Sequence, residues 1–154
     1  MATEVNVLEL TRKLLALNTI NPPGRERQCA RYIGKLLEDG GFKVAYYDFA
    51  ESRTSLIARL DGRTDRPPIC FSGHLDTVPL GAESWSRDPF SGEVDGNRIY
   101  GRGASDMKSG VAAMVGAALR LQKTFQEKAG VTFIFTAGEE TGSQGASHLA
   151  GLSG

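Results

Sequence analysis

The sequence predicts an α/β fold, a three-layer α/β/α sandwich around a mixed sheet. Three observations lead there. Apolar residues recur at helical spacing in the first forty positions; short runs rich in β-branched and aromatic residues follow; and polar, glycine-containing loops bearing a histidine and carboxylates leave the ends of those runs. In α/β sheets, side chains at strand ends leave the packed layer and line ligand sites.

Taken in order, Val7, Leu10, Leu14 and Leu17 recur at three- and four-residue spacing within Thr3 to Leu17, with Arg12 and Lys13 on the other side, so one amphipathic helix is expected there. Asn21-Pro22-Pro23-Gly24 breaks it. Cys29, Ile33, Leu36 and Leu37 mark a second helix over Arg25 to Asp39, closed by Gly40-Gly41, which suit a left-handed C-cap. Phe42, Val44 and Tyr46 alternate with Lys43, Ala45 and Tyr47, and Leu56 to Leu60 forms a second run before Asp61-Gly62, giving strands near 42–48 and 54–60. Ile69 to Phe71 reads as a buried strand within 69–73. Asp95-Gly96 between Glu93-Val94 and Arg98-Ile99-Tyr100 is a hairpin signature, and an antiparallel element here favours a mixed sheet. The third long helix runs from Met107 to Lys123. Val131 to Thr136, the most apolar run, reads as a central strand covered on both faces.

Composition narrows the function classes. Lys+Arg and Asp+Glu balance at 18 each, so no field gathers nucleic acid or anionic lipid, and the expected partner is a small molecule. The longest apolar stretch, Val111 to Leu119, is too short to span a bilayer, and no basic segment precedes an apolar run at the start; a cytoplasmic location is the default expectation. Cys29 and Cys70 lack C-x-x-C spacing and read as two reduced, largely buried thiols outside any site. Trp85 reads as the anchor of a small packed cluster in its loop.

The chemistry concentrates at three places. Ser72-Gly73-His74-Leu75-Asp76-Thr77 leaves an apolar run with His74 and Asp76 two residues apart, able to face one cleft. Gly101-Arg102-Gly103-Ala104-Ser105-Asp106 lacks the third glycine of a dinucleotide fingerprint and follows a hairpin, so its glycines are read as letting the backbone come close to something at Asp106. Glu139 and Glu140 end the most apolar run, where two adjacent carboxylates repel unless a cation lies beside them. His74, Asp106, Glu139 and Glu140 form a mixed nitrogen and oxygen set that suits Zn²⁺, in which two ions sharing one carboxylate activate water and one further carboxylate moves the proton.

Three stretches, Gly73 to Pro79, Tyr100 to Gly110 and Thr136 to Ser143, resemble the metallopeptidases and amidohydrolases that include acetylornithine deacetylase, succinyl-diaminopimelate desuccinylase and aminoacylase. The resemblance implies that His74 ligates one metal, Asp106 bridges both, Glu140 ligates the other, Glu139 is the general base and Asp76 steadies His74. It implies two Zn²⁺, with Co²⁺ as the alternative, and attack by a metal-bridging hydroxide on the amide of an N-acyl amino acid or short peptide. It also implies a cis peptide after Asp106 and a homodimer for the complete enzyme. Members of the family are more than twice this length. Residues 1–154 are therefore expected to be the N-terminal portion of a catalytic domain, without the dimerisation domain or the later ligands, for which His148 is a poor stand-in. The chain by itself is then expected to be catalytically silent, to hold metal weakly, and to self-associate along an uncovered sheet edge. The rival expectation is an inactive fragment that acts only as a metal-binding or interaction module.

Overall fold

The computed structural model describes residues 5–152. Helix α1 spans Val7–Leu15, with the Asn6 side chain accepting hydrogen bonds from the Leu8 and Glu9 amides at its N-terminus. Thr3 and Glu4, assigned to this helix from sequence, lie outside the described residues. Helix α2 spans Glu26–Asp39 and stops where Gly41 takes φ 83°. Strands β1 (Lys43–Ala50), β2 (Arg53–Asp61) and β3 (Ile69–His74) follow, then the hairpin β4 (Glu93–Asp95) and β5 (Arg98–Tyr100). After it come α3 (Ser109–Arg120), α4 (Gln122–Glu127), β6 (Gly130–Thr136) and α5 (Gln144–Gly151). The long helix expected over 107–123 is thus divided: Met107 belongs to a turn before α3, and α3 ends at Arg120 before the short α4.

All four strands expected in one sheet are there, in the order β1-β2-β6-β3. β1 with β2 and β2 with β6 are antiparallel, whereas β3 with β6 is parallel, so the sheet is mixed. The mixture does not come from the hairpin, which forms a separate two-stranded sheet. Its two-residue tip is Gly96-Asn97, and among the two only Gly96 takes a positive φ, at 59°.

One face of the sheet is packed by α1, α2 and α3. Leu56, Ala58 and Leu60 of β2 and Val131, Phe133 and Phe135 of β6 project into it, as strand alternation requires, and meet Leu14, Ile33, Leu37, Val111 and Val115. On the other face α5 lies against β1 and β2. Gly145 fits there over Ser55 Oγ and the Ala137 carbonyl, where an added Cβ would come within 2.3 Å of the carbonyl oxygen. The result is an α/β/α sandwich whose third layer is incomplete, leaving Thr132 and Ile134 half-buried. β6 is therefore central in order but fully covered on one face only.

Two sequence expectations fail at β3. Its apolar run reads as a buried strand, yet β3 is the sheet edge, with Ile69 53% and Phe71 38% exposed. An apolar run specifies burial only when a neighbour is present to supply it. For the same reason Cys70, on that edge, is exposed, while Cys29 alone is buried, between α2 and the sheet. Burial pushes the Cys29 thiol up to about 11. A thiol-reactive chromogen under native conditions is accordingly expected to titrate Cys70 at once and Cys29 only on unfolding. Two fast thiols, or none, would contradict this packing. The packed aromatic cluster expected at Trp85 is not what holds its loop: the side chain is 37% exposed, its indole donates to the Leu80 carbonyl at 3.0 Å, and the group over its ring is the Arg102 guanidinium, 5.1 Å from the centroid.

Candidate metal centre

The parallel pairing of β3 with β6 brings their C-terminal ends together, with His74 opposite Thr136. His74 thus ends one strand, while Glu139 and Glu140 leave the next one three residues further on. Asp106 arrives from a turn over Ala104–Lys108, entered through Gly103 at φ 84°. A Cβ at Gly103 would stand 2.4 Å from Thr77 Cγ2, so the close approach inferred for these glycines is real. Within the turn, Asp106 and Met107 leave helical geometry and the peptide between them is cis. The turn is fixed on two sides at its C-terminal end. The buried Lys108 ammonium donates to the Leu14 and Leu17 carbonyls at 2.9 and 2.6 Å, satisfying the C-terminal end of α1. On the other side Met107 Sδ lies 3.4 Å from the His74 amide nitrogen.

His74 Nε2 is 2.9 Å from Asp106 Oδ1 and 4.0 Å from Glu139 Oε2. Ligating atoms of His74, Asp106 and Glu140 all lie within 4.8 Å of one another. The nitrogen and oxygen donors are of the kind that hold a divalent metal, and their limiting separation of 4.8 Å is wider than the spacing of about 3.3 Å between donors on a single tetrahedral ion. The Asp106 side chain is 75% exposed and that of Glu139 48%, against 8% for His74. The cluster therefore opens to solvent along its carboxylates, beside a cleft of about 210 Å³ lined by Val78, Arg102, Ser105, Asp106 and Glu140. A larger hollow of about 570 Å³ lies at the opposite end of the sheet, around Arg59 and Asp61 to Pro68, away from this chemistry.

Asp76, fully buried, does more than steady the histidine. His74 Nδ1 is 3.0 Å from the Asp76 backbone carbonyl and 3.5 Å from its carboxylate. A carbonyl can only accept, so Nδ1 carries the proton and Nε2 is left to ligate. The Asp76 carboxylate instead accepts from the backbone amides of both glutamates, Glu139 at 3.0 Å and Glu140 at 3.1 Å, and from Asn21 Nδ2 at 2.8 Å. It couples the histidine loop to the glutamate turn.

These contacts set the charges. Burial alone raises the Asp76 carboxyl, but hydrogen bonds from His74, Asn21 and the two amides outweigh it and hold the group at about 2. For His74, burial disfavours the cation, yet hydrogen bonds to Asp76 and Asp106 prevail and the imidazole rises to about 9. Glu140 is raised, first by burial and then by the charge of Asp106. A proton and a metal compete for His74 Nε2. With the imidazole at about 9, metal affinity of the chain is expected to climb about tenfold per pH unit from pH 6 and to level off above pH 9. Calorimetric titration at several pH values checks this, and affinity independent of pH below 9 would show that His74 is not a ligand.

All five residues singled out in the sequence are brought to one corner of the sheet. Sequence reasoning missed Asn21, whose buried amide joins Asp76 to Thr141 Oγ1 (2.7 Å), and the ion pair of Glu26 and Arg53 beneath the glutamate turn. Asn21 reads as part of a helix-breaking Asn-Pro-Pro-Gly, and Glu26 as an ordinary first-turn acid favoured by the helix dipole. Each thus has a sufficient local explanation.

The model of peptidase family M20/M25/M40 matches residues 70–154. Succinyl-diaminopimelate desuccinylase of Wolbachia pipientis wMel is 35% identical over 140 residues, 90% of this chain and 34% of that protein. The protein of that name from Gluconobacter oxydans is 37% identical over 134 residues, 85% and 34% of the two chains. The chain thus spans about a third of the length of the curated relatives it matches. Among solved structures, human carnosine dipeptidase 1 superposes with a TM-score of 0.79 at 24% identity, over 94% of this chain and 34% of that one. Aminopeptidase PepT from Bacillus cereus gives 0.68 at 27% identity, over 92% and 38%. With more than half of its residues under the family model, the chain belongs to this peptidase family.

Proposed function

We propose that this chain supplies the N-terminal portion of the catalytic domain of a metal-dependent amide hydrolase, acting on an N-acyl amino acid or a short peptide. The observation that carries the reading is the convergence of His74, Asp106 and Glu140 within 4.8 Å, with Glu139 beside them. The names of the relatives, a desuccinylase, a dipeptidase and an aminopeptidase, all describe cleavage of an acyl–nitrogen bond. His74 would hold one zinc ion, Glu140 another and Asp106 both, with Co²⁺ as the alternative metal. The metal, when bound, supplies Lewis acidity that polarises a carbonyl and lowers the pKa of water.

The chain's own groups do the rest. Glu139 is anchored through its amide to Asp76, which leaves its carboxylate half-exposed and unpaired by any lysine or arginine among the described residues. It takes the proton of the attacking water and returns it to the leaving nitrogen. Asp76 keeps the proton of His74 on Nδ1 by holding the loop in register, and fixes both glutamate amides at once. A homodimer of the longer polypeptide and a cytoplasmic location belong to the same proposal; no helix of the described residues is long and apolar enough to cross a membrane.

The test has two arms. Zinc is titrated into this chain by calorimetry, and a longer polypeptide containing it, loaded with zinc, is assayed on N-acetyl amino acids, N-succinyl amino acids and dipeptides. Saturable zinc binding with hydrolysis of one substrate class is the expected result. Zinc binding without hydrolysis of any of them would favour a metal-binding interaction module, and no zinc binding would remove the basis of the reading.

A further inference from the structure

Glu26 is fully buried at the first turn of α2, and its carboxylate is gripped by the Arg53 guanidinium at the start of β2, Nε to Oε2 at 2.8 Å and Nη2 to Oε1 at 3.0 Å. Arg53 also donates to the Pro23 carbonyl at 3.2 Å. Its guanidinium fills the space over Gly24, where an added Cβ would lie 2.2 Å from Nε. The pair has a third participant. Glu26 Oε1 accepts from the Gly138 amide at 3.2 Å, and Gly138, at φ 73°, immediately precedes Glu139 and Glu140. A Cβ on Gly138 would come within 2.9 Å of Arg53 Nη2, so the turn rests directly on the ion pair.

Stability alone is a poor account of this arrangement. A buried ion pair can often be exchanged for apolar residues of similar size at little cost, because desolvation offsets its attraction. What apolar residues cannot supply is an acceptor for one particular amide. Asp76 holds the amides of Glu139 and Glu140, and Glu26 holds the one before them, so three consecutive N–H groups are fixed by two buried carboxylates. Arg53 engages both carboxylate oxygens of Glu26 while Oε1 faces the Gly138 amide.

We propose that the Glu26–Arg53 pair is a positioning device for the glutamate turn, setting where Glu140 stands relative to His74 and Asp106. Neither residue touches the candidate metal; both act through the backbone of residues 138 to 140. The inference rests on the metal reading above, so its test separates the two.

Co²⁺ is titrated into this chain and into two folded-state-matched variants, reading affinity and visible absorption. Glu26→Leu with Arg53→Met removes both charges and the acceptor. Glu26→Gln with Arg53→Met removes the charges but keeps an acceptor for Gly138. The first is expected to weaken Co²⁺ binding by about tenfold or more and to change the absorption bands, and the second to recover affinity to within about threefold. A folded Glu26→Leu/Arg53→Met variant with wild-type affinity and spectrum overturns the proposal. Amide hydrogen exchange on the unaltered, metal-free chain decides the clamp even if that variant does not fold. Gly138 is expected to be protected alongside Glu139 and Glu140, and exchange at the rate of an open loop amide would overturn it. Absence of Co²⁺ binding by the wild type would defeat the metal reading while the exchange result still stood.

Discussion

Changing Glu139 to Gln, in a longer polypeptide that carries this chain and hydrolyses an amide, is expected to lower kcat by about 10²–10⁴-fold, the range that positioned proton transfer contributes. Zinc affinity should fall far less than kcat, because the Glu139 carboxylate is neither one of the three candidate ligands nor a hydrogen-bond partner that orients one of them. The geometry makes the two effects separable. Glutamine keeps the side-chain volume and leaves the Glu139 amide on Asp76 untouched, while the trio proposed to ligate is made of other residues. Steady-state kinetics beside calorimetry checks the pair of outcomes. A variant with wild-type kcat would remove Glu139 from the proton-transfer role, and one that lost metal would make it a ligand.

Asp106 to Ala is the second large effect, and its signature is the reverse. Loss of the residue proposed to bridge both ions should weaken zinc binding by about 100-fold or more, the upper end of what even indirect partners of a metal cost. Unfolding free energy of the metal-free chain should fall by about 1 kcal/mol, the order of the single hydrogen bond to His74 that is lost. That side chain is 75% exposed and its hydrogen bond is to His74 alone. Calorimetry for the metal and a denaturant melt for the fold report the two separately. Unchanged zinc affinity would refute the bridging role. Asp76 would make a less informative target, because removing it strands the buried Asn21 amide and two backbone N–H groups together, and fold and site would fail at once.

The contrast between those two aspartates shows what is legible in a sequence of this kind. His74, Asp106 and Glu140 stand just beyond apolar runs or among glycines, where neither core packing nor a solvated surface accounts well for them, so chemistry was the better explanation for each. Strand positions were legible too, since alternation and β-branched content mark them locally. Coverage was not. Ile69-Cys70-Phe71 has the composition of a buried strand, and whether it is buried depends on what lies next to it in the sheet, a non-local fact. The support beneath the glutamates was hidden for a different reason. Glu26 and Arg53 are 27 residues apart, and Gly138 is 112 from Glu26, so no spacing rule connects them. Asn21 likewise reaches Thr141 across 120 residues. Long-range polar contacts of this sort leave no periodic trace in the chain.

The position of β3 has a consequence for motion. Among the described residues it is hydrogen-bonded along one side only, to β6, and its exposed residues contribute little burial, so opening it there breaks a single ladder and belongs to the low end of the opening free energies. His74 is the last residue of that strand, and the donor set therefore inherits the breathing of the sheet's edge. The fastening is uneven. Leu75 is hydrogen-bonded to Thr136 and Thr19, and His74 to Met107, whereas among the described residues the backbone of Ile69 to Phe71 pairs with β6 alone. Fraying begins at the far end from the ligand and reaches it last. An ion held as proposed would act in this respect as a ligand of the closed edge, favouring it in proportion to how full the site is, so that the edge of the sheet would become quieter as metal concentration rises.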